Sequence, residues 1–534
     1  MSVSYPDILL DIISIYEDYS PVSCATLAAL ARTCRIFKEP ALDTLWKDIN
    51  GFKPLLSCLP ESVVYTFGLR GMLMLTRPLL NAEWRIIAQY AQRIRSFRVS
   101  PTELEIIDDC VVQALISAPS PLLPDLRSLV WLSGEESFFP LLHTLLRSTI
   151  TSVQLDFSSS FSNPSFAKSA LLASIGARCL SIQELDCVYD GDSEESSDAI
   201  CEALCGLREL SHLGTGALNA QALLRLASLP LLKSLHFSLR SYDINETQSN
   251  PTPTHFSQLD QVHITTPTPS VFNHCLRNIR FLSCRTINLR VEYNDLDMDP
   301  YDPLDIPDFI VSISECFSPA LEKLHFDFNL SFSTLLDRDI LANPSFALGF
   351  DAIAPMLWFN CLTDLQLDWM CTSAIDDASL KTMARSWPQL ENFSFGSAAR
   401  WLVPPSLTFI GLVHLIHHCR RLHSIEMPFC ACPVDTNSEP FSKTIPNEKI
   451  TRLFVGISPI VDPTAVACQL HIMLPKLTTV GLFDWLDAET PVPPPFEEFE
   501  DRWSKVNEFL GVITIIAKMR EEMGQAPQEP ILPG

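Results

Sequence analysis

Two groups of residues in this chain have types and spacing that could do chemistry. In the first group, Asp295, Asp297 and Asp299 have the alternate spacing that begins a calcium-binding loop. Such a loop needs glycine at its sixth position for the turn and a bidentate glutamate at its twelfth. This chain has Pro300 and Ile306 at those positions, so the pattern indicates a solvated acidic loop instead of a calcium site.

The second group is the densest set of possible metal ligands. It comprises His414, His417, His418, Cys419, His423, Cys430 and Cys432. Strong zinc sites carry paired Cys-x-x-Cys spacing, which this set lacks, and a cysteine at the end of a helix or strand is ordinary apolar packing. The chain also lacks a Gly-x-Ser-x-Gly motif and a phosphate-binding glycine loop. We therefore predict no catalytic residue, no metal and no cofactor; an enzyme whose site is assembled only in three dimensions is the third alternative.

Composition narrows the partners and the compartment. The 534 residues are 47% hydrophobic and carry a net charge of −25, which argues against nucleic acid because phosphate binding draws on clustered Lys and Arg. Seventeen cysteines, scattered singly, do not resemble a disulfide framework, so we expect a reducing cytosolic or nuclear compartment. We expect no signal peptide and no membrane partner, since no apolar stretch approaches roughly 18–20 residues.

One apolar pattern recurs through most of the chain and must position any site. The pattern apolar-x-x-apolar-x-apolar returns at a mean step of about 29 residues. Its starts are Ile94, Leu126, Ile150, Ile182, Leu207, Leu232, Leu259, Cys284, Leu321, Leu362, Leu390, Leu422, Ile450 and Leu477. Segments with helical spacing lie between them: Thr102–Ser117, Pro164–Arg178, Asp198–Leu207, Asn219–Leu229, Asp377–Trp387, Pro405–Cys419 and Pro463–Leu474. One strand plus one helix at this period predicts an α/β leucine-rich-repeat horseshoe over residues 94–495. Two ordinary non-repeat domains are the alternative.

The far end of the array is predicted to carry a cap. After a run of three prolines, apolar residues follow a spacing of three and four: Phe496, Phe499, Trp503, Val506, Leu510, Ile513 and Ala517. This stripe would cover the apolar edge of the last repeat, as terminal caps of solenoids do. Residues 496–520 are thus predicted to be a capping helix and residues 521–534 a disordered tail.

The first fifty residues predict three short helices, which begin near Pro6, Pro21 and Glu39-Pro40. Three short helices cannot bury a core by themselves, so residues 1–50 need a neighbour in the chain or in a partner. Residues 51–93 form a connector with one helix near its end. The basic run in and just after it is predicted to be a solvated face: Arg70, Arg77, Arg85, Arg93, Arg95 and Arg98.

These helices resemble an F-box. That family has Leu-Pro-x-x-(Leu/Ile), then Leu-x-x-Leu-Ala-x-x-Cys-(Arg/Lys)-x-(Phe/Trp), then Ala-x-x-x-Leu-Trp. The matching segments here are Tyr5-Pro6…Leu9-Leu10…Ile12-Ile13, Leu27…Leu30-Ala31…Cys34-Arg35…Phe37 and Ala41…Leu45-Trp46. Tyr5 in place of Leu is the departure at the start. The match continues with Lys53-Pro54-Leu55-Leu56…Cys58-Leu59-Pro60, Arg77-Pro78-Leu79 and Trp84…Tyr90-Ala91…Arg93-Ile94-Arg95-Ser96. Over residues 5–98 the chain is therefore similar to the large F-box family of mushroom-forming (basidiomycete) fungi.

This resemblance implies a function. The chain would be the substrate-recognition subunit of a Skp-cullin-F-box type ubiquitin ligase, with the F-box on the Skp-type adaptor, a cullin beyond it, and the repeats on a protein target. The adaptor-binding residues that the resemblance implies are Tyr5, Pro6, Leu9, Leu10, Ile13, Leu27, Leu30, Cys34, Phe37 and Trp46. The alternative is a leucine-rich-repeat protein-interaction scaffold without a ligase role.

Side-chain alternation along the predicted strands suggests which residues face the target. The acidic residues on the predicted open face are Asp156, Glu184, Asp186, Asp327, Asp364, Asp368 and Glu426, opposed by Arg98, Arg290, Lys323 and Arg452. The hypothesis is that a target presents a basic segment to this face. The alternative is that a net charge of −25 places acids on every face, which leaves the loops at 241–254, 292–308 or 433–447 as the target site.

Overall fold

A computed structural model of the chain describes residues 21–33, 35–68, 71–157, 166–188, 194–218, 220–239, 253–292, 305–329, 342–368, 370–396, 401–437, 439–456, 458–482 and 496–524. The chain divides into two compact units, 1–238 and 239–534. In both units, parallel strands alternate with helices, so the prediction of an α/β chain with parallel strands is confirmed.

The first unit opens with two adjacent helices, α1 (Pro21–Thr33) and α2 (Arg35–Lys47), followed at once by strand β1 (Asp48–Asn50). Its other elements, in chain order, are α3 (Lys53–Leu56), β2 (Val64–Phe67), β3 (Met72–Leu75), α4 (Asn81–Ala91), β4 (Ser96–Val99), α5 (Pro101–Glu105), α6 (Asp109–Ile116), β5 (Ser128–Trp131), α7 (Phe139–Leu145), β6 (Ser152–Asp156), α8 (Phe166–Arg178), β7 (Glu184–Val188), α9 (Glu194–Gly206), β8 (His212–Ala217), α10 (Ala220–Ala227) and β9 (Ser234–Ser238). The predicted start of a helix at Glu39-Pro40 is wrong, because α2 begins at Arg35 and contains Pro40. The helix predicted near Pro6 lies outside the described residues.

The sheet of the first unit has the order β1-β4-β5-β6-β7-β8-β9, with every neighbouring pair parallel. One register row carries an apolar residue from each successive strand after β1: Phe97, Leu129, Val153, Leu185, Leu213 and Leu235. Each of them is at most 2% exposed. Each repeat adds one side chain to the row. The hydrophobic core therefore extends along the sheet from repeat to repeat and is not gathered around one point.

Thirteen of the fourteen predicted starts precede a strand, whereas β1, β2, β3 and two strands of the second unit, Thr254–Phe256 and Ile279–Phe281, were not predicted. The start predicted at Leu207 is wrong, because β8 begins at His212 and the pattern there starts at Leu210. Leu207 directly follows α9 and is buried. A buried apolar residue after a helix has the same residue type as the first position of the strand pattern, and the pattern therefore predicts the start at Leu207 instead of Leu210. The parallel sheet also begins earlier than Ile94, since β1 pairs with β4.

The helix predicted over Thr102–Ser117 is two helices, α5 and α6. A backbone crossing separates them: the Leu73 N–H donates to the Ile106 carbonyl at 2.6 Å, and the Asp108 N–H donates to the Leu73 carbonyl at 3.1 Å. These two bonds use the Ile106 carbonyl and the Asp108 N–H, which a continuous helix would need for its own hydrogen bonds. Asp108 then starts α6, because its carboxylate accepts from the Cys110 N–H at 2.9 Å.

Helices α8 and α9 approach each other closely through glycine. A Cβ placed on Gly176 would lie 2.1 Å from the Ala203 carbonyl oxygen, which is far inside van der Waals contact. Any larger residue at this position would push the two helices apart. Small residues at such contacts set the spacing of neighbouring repeats.

The second unit repeats the same plan. Its elements are β10 (Thr254–Phe256), β11 (Gln261–Thr266), α11 (Pro269–Leu276), β12 (Ile279–Phe281), β13 (Thr286–Glu292), α12 (Ile306–Cys316), β14 (Lys323–Asn329), α13 (Phe350–Ile353), β15 (Asp364–Leu367), α14 (Asp377–Ser386), β16 (Asn392–Phe395), α15 (Phe409–His418), β17 (Ser424–Glu426), β18 (Arg452–Phe454), α16 (Pro463–Met473), β19 (Val480–Gly481) and α17 (Phe496–Gly524). The parallel order is β11-β13-β14-β15-β16-β17-β18-β19, while β10 and β12 pair separately. An apolar row again runs through it: Ile287, Leu324, Leu365, Phe393, Ile425, Leu453 and Val480.

Helix α17 packs on the last repeat of the second unit. Trp503, Val506 and Leu510 are buried in that contact, and the Trp503 indole N–H donates to the Ser458 carbonyl at 2.8 Å. Asn507 also takes the place of a neighbouring strand at β19. Its Oδ1 accepts from the Val480 N–H at 2.7 Å, and its Nδ2 donates to the Val480 carbonyl at 3.0 Å. The amide thus satisfies backbone groups that an open sheet edge would leave unpaired.

Candidate functional site

The helix pair α1–α2 has a small apolar core of its own. Leu27 and Ala41 are buried against each other, and Leu30, Ala31 and Leu45 pack around them. Leu27 therefore serves the core of the pair, whereas Leu30 remains only partly buried. A core of this size is too small to hold the pair by itself, so the pair needs contacts with a neighbour.

Two apolar side chains on α2 reach solvent. Ile36 is 67% exposed and Phe37 is half-buried. Phe37 was predicted from the sequence and Ile36 was not, because the family motif leaves that position free. The other predicted adaptor-binding residues, Tyr5, Pro6, Leu9, Leu10, Ile13 and Cys34, lie outside the described residues.

Trp46 faces the chain's own connector. Its ring stacks on Tyr90 of α4 with centroids 4.7 Å apart, and Trp46 is only 8% exposed. Arg93, just after α4, pairs with both Glu39 and Asp43 of α2. These contacts fix the helix pair to the connector, so the structure gives Trp46 a role in the junction between them.

Three arginines of the basic run, Arg77, Arg93 and Arg95, pair with carboxylates. Arg77 Nη2 lies 2.9 Å from Glu83, which also accepts from the Leu80 N–H at 2.6 Å. Arg95 Nη1 lies 3.3 Å from Asp125. Together with the Arg93 pairs, these contacts show why arginines collect here: each ties a connector element to a neighbour. Sequence reasoning missed this, since the partners are up to 54 residues away.

Four of the predicted target-binding acids lie on the sheet face of the second unit that is opposite the buried row: Asp327, Asp364, Asp368 and Glu426. Asp364 of β15 is paired in register with Lys323 of β14 and with Asn392 of β16, and His325 lies two residues farther along β14 than Lys323. His325 Nε2 is 3.0 Å from Asp364 Oδ1, and Asn392 Nδ2 donates to Oδ2 at 3.1 Å. Burial disfavours the Asp364 carboxylate, but His325 and Asn392 outweigh that effect and lower the pKa of Asp364.

A second polar group lies farther along the same strands. The Ser394 hydroxyl donates to Asp368 at 2.5 Å, and Arg452 Nη2 lies 3.4 Å from Glu426. Burial raises the pKa of Glu426; Arg452 opposes that shift and Asp368 adds to it. Asp327 stands apart from this group, with Arg290 Nε 3.7 Å away. The structure therefore divides the predicted acids of this unit into separate small groups, each with a basic or hydroxyl neighbour.

The predicted acids of the first unit, Asp156, Glu184 and Asp186, lie on β6 and β7. Asp186 shares a register row with Gly214 and His236. A Cβ on Gly214 would lie 2.6 Å from Asp186 Oδ1, so the carboxylate occupies the space over this glycine. Burial raises the pKa of Asp186, with His236 opposing and Asp156 adding to the shift. The absence of a side chain at Gly214 thus makes room for a neighbouring carboxylate.

The residues considered for metal chemistry do not converge. Asp295, Asp297 and Asp299 lie outside the described residues. The buried Cys419 thiol donates to the Ala384 and Trp387 carbonyls. Cys430 and Cys432 have their sulfur atoms 3.4 Å apart, in a loop after β17. Across the described ranges, no group of three or more His, Cys, Asp or Glu side chains is placed to hold a metal ion.

A membrane-spanning helix is not found either: in the part of the chain that the structure describes, none is both long enough and apolar enough.

Comparisons with known proteins give one distant likeness. No protein-family model matches the chain. No curated protein matches it significantly. Among solved structures, the chain is similar to one from the crystal structure of the Rad7 and Elc1 complex in yeast, at 16% sequence identity and a TM-score of 0.31. That similarity covers 68% of this chain and 82% of the other.

Proposed function

We propose that this chain is the substrate-recognition subunit of a Skp-cullin-F-box type ubiquitin ligase in the cytosol or nucleus. The observation that carries the proposal is the helix pair α1–α2, whose residues follow the F-box motif and which Trp46 and Arg93 fix to the connector that precedes the strand–helix repeats. The protein itself would break no bond. It would hold a target so that a lysine of the target meets a ubiquitin-loaded enzyme elsewhere in the assembly.

The adaptor-binding side of this proposal rests on apolar exposure. Leu27 and Ala41 are used inside the helix pair, while Ile36 and Phe37 extend outward from α2. An apolar side chain that is two-thirds exposed gains free energy when a partner covers it. Residues of this kind at the centre of an interface typically cost about 2 kcal/mol or more when they are removed.

Co-purification with a Skp-type adaptor tests this side. Ile36→Asp should weaken adaptor binding by about 30-fold or more, the factor that corresponds to about 2 kcal/mol. Ile445→Asp is the matched control, because Ile445 is 70% exposed but lies in the second unit. A Leu9→Ala, Leu10→Ala variant should lose the adaptor as well. Equal binding by all of these variants and the unaltered chain would refute the adaptor assignment.

The target-binding side rests on the acidic groups of the strand faces. Asp364, Asp368 and Asp327 alternate with buried strand residues and therefore face away from the core. Arg290 neutralises part of the charge of Asp327, so a basic segment of a target would displace that arginine there and would be attracted directly by Asp364 and Asp368. Such binding should weaken with salt.

A fluorescent lysine-rich peptide is a suitable probe of this face. Asp327→Asn, Asp364→Asn and Asp368→Asn together should weaken peptide binding and flatten its dependence on salt. The matched control changes three exposed acids of α17, as Glu497→Gln, Glu500→Gln and Asp501→Asn. If both triple variants bind the peptide equally across a salt series, net charge alone explains the binding. The loops at 241–254, 292–308 or 433–447 then become the candidate target site.

The scaffold alternative predicts a different outcome in cells. A scaffold without a ligase role would bind its partners, and loss of the adaptor would leave their ubiquitin modification unchanged. A ligase subunit should lose specific ubiquitin-remnant sites when the Ile36→Asp variant replaces the unaltered chain. Mapping those remnants on proteins captured by both variants separates the two functions.

A further inference from the structure

A cavity in the first unit is chemically unlike the strand faces. It has a volume of about 670 Å³ and lies at the ends of α6, α7 and α8. Three basic side chains line it, from His143, Arg147 and Arg178. Among the described residues that line it, none is Asp or Glu. In a chain with 63 acidic and 38 Lys and Arg residues, a basic cavity without a carboxylate is a departure from the average surface.

Arg147 is the residue that points to a ligand. Its Nε atom is buried and has no hydrogen-bonding partner among the described residues. A buried donor without an acceptor costs roughly 1–3 kcal/mol, more when it belongs to a charged group. Arg147 as a whole is half-buried, and no described carboxylate forms an ion pair with its guanidinium.

A competing explanation is that these basic groups serve the carbonyl ends of the helices. That account fits Arg178, whose Nη1 donates to the His143 carbonyl at 3.4 Å. It does not fit the unpartnered Nε of Arg147. Burial, with the Arg178 charge adding to it, lowers the pKa of His143, which leaves a neutral imidazole near pH 7. The cationic groups of the cavity are therefore the two arginines.

The remaining lining residues define the rest of the ligand. The hydroxyl groups of Ser120 and Ser148 add donors at the rim, and Leu115, Leu122 and Leu146 supply apolar wall. Two guanidinium groups and two hydroxyls offer more donors than the two oxygens of a carboxylate can use, whereas a phosphate monoester offers three terminal oxygens. The volume is in the range of small-molecule sites, about 300–1,000 Å³.

We propose that this cavity binds a small organic phosphate, with the phosphate group at Arg147 and Arg178 and the apolar body against the leucines. The site lies outside the predicted adaptor-binding and target-binding residues. The proposal for this cavity therefore does not depend on the ligase role.

Phenyl phosphate is the probe, measured by isothermal titration calorimetry on the full chain at constant ionic strength. Phenyl phosphate should bind more tightly than inorganic phosphate, because of the apolar wall, and phenol should not bind measurably. Arg147→Met keeps the apolar stem and removes the charge, and should weaken binding at least tenfold. Arg208→Met is the matched control, an exposed arginine that does not line the cavity. Equal affinity of both variants would overturn the proposal.

A second variant tests the proposal in case Arg147→Met fails to fold. Ser148→Glu places a carboxylate at the exposed rim without removing a packed group, and should also weaken phenyl phosphate at least tenfold. Unchanged binding by Ser148→Glu would overturn the proposal. A short phosphoserine peptide that binds tighter than phenyl phosphate would also overturn it, because the site would then serve a phosphorylated protein.

Discussion

Asp364 illustrates how single residues fix charge on the strand faces. Its carboxylate has one oxygen near His325 and the other bonded to Asn392, each on an adjacent strand. The pKa of Asp364 is lowered although burial acts in the opposite direction. A group whose pKa is lower in the folded state stabilises that state above its unfolded pKa, about 3.9. That stabilisation is lost as the pH falls through the folded pKa.

Asp364→Asn should therefore weaken strands β14–β16 near neutral pH and do so less in acid. We expect the local opening free energy to fall by about 1–2 kcal/mol at pH 7, as for other hydrogen bonds to charged groups. Amide hydrogen exchange of 364–367 and 392–395, measured at pH values down to the acid range, checks this. Thr382→Ala, an exposed change on α14, should leave that exchange unaltered. A difference from the unaltered chain that persists undiminished below the unfolded pKa would contradict the assignment.

At the scale of elements, the junction between α2 and α4 decides whether the helix pair behaves as part of the first unit. Trp46 is buried and stacked on Tyr90, and Arg93 spans to Glu39 and Asp43. The two carboxylates are more than half exposed, so their pairs contribute little compared with the buried ring. Most of the stability of the junction should come from Trp46.

Trp46→Ala should consequently release the helix pair from the connector while the repeats stay folded. Truncation of a buried aromatic residue costs about 3–5 kcal/mol, which is enough to make 21–47 accessible to limited proteolysis. Tyr90→Phe is the control, since it keeps the stacked ring and should change little. If Trp46→Ala and Tyr90→Phe are cleaved at the same rate, the stack does not hold the junction.

The side-chain amide of Asn507 forms both described hydrogen bonds to the Val480 backbone at the edge of β19. Asn507→Asp should keep the bond from the Val480 N–H but lose the donor to the Val480 carbonyl, at about 1–3 kcal/mol. Faster amide exchange at 480 and in α17 would show the loss. Glu508→Gln changes the next, exposed residue and should have no effect. Equal exchange in the two variants would mean that Asn507 does not secure this edge.

At the scale of the whole molecule, α17 is expected to keep the end of the second unit soluble. It covers Phe429, whose ring lies 6.2 Å from that of Trp503, and it satisfies the Val480 edge. Deletion of Phe496–Gly524 should expose this apolar end, so that the chain aggregates or loses exchange protection over 450–482. Size-exclusion chromatography with hydrogen exchange measures both. A monomeric truncated chain with unchanged protection would contradict the capping role.

The sequence by itself determined the repeat. Apolar residues such as Leu129 and Leu365 recur with the spacing of a strand pattern, and side-chain alternation dictates that they face inward wherever the strand pairs. It also determined the stripe of α17, because helical periodicity is a local property. The one misplaced strand start, Leu207, shows the limit: burial at a helix end and burial in a strand look alike in the sequence.

Only the tertiary structure decided which charged and polar groups meet. Arg93 with Glu39, His325 with Asp364, and the space over Gly214 for Asp186 all join residues from different repeats. Their distances depend on the register and spacing of strands and helices, which no local pattern encodes. The cavity at Arg147 could not be predicted from the sequence for the same reason, because its basic lining comes from the ends of separate helices. Periodic burial is set by short-range geometry, whereas a site is set by which repeats become neighbours.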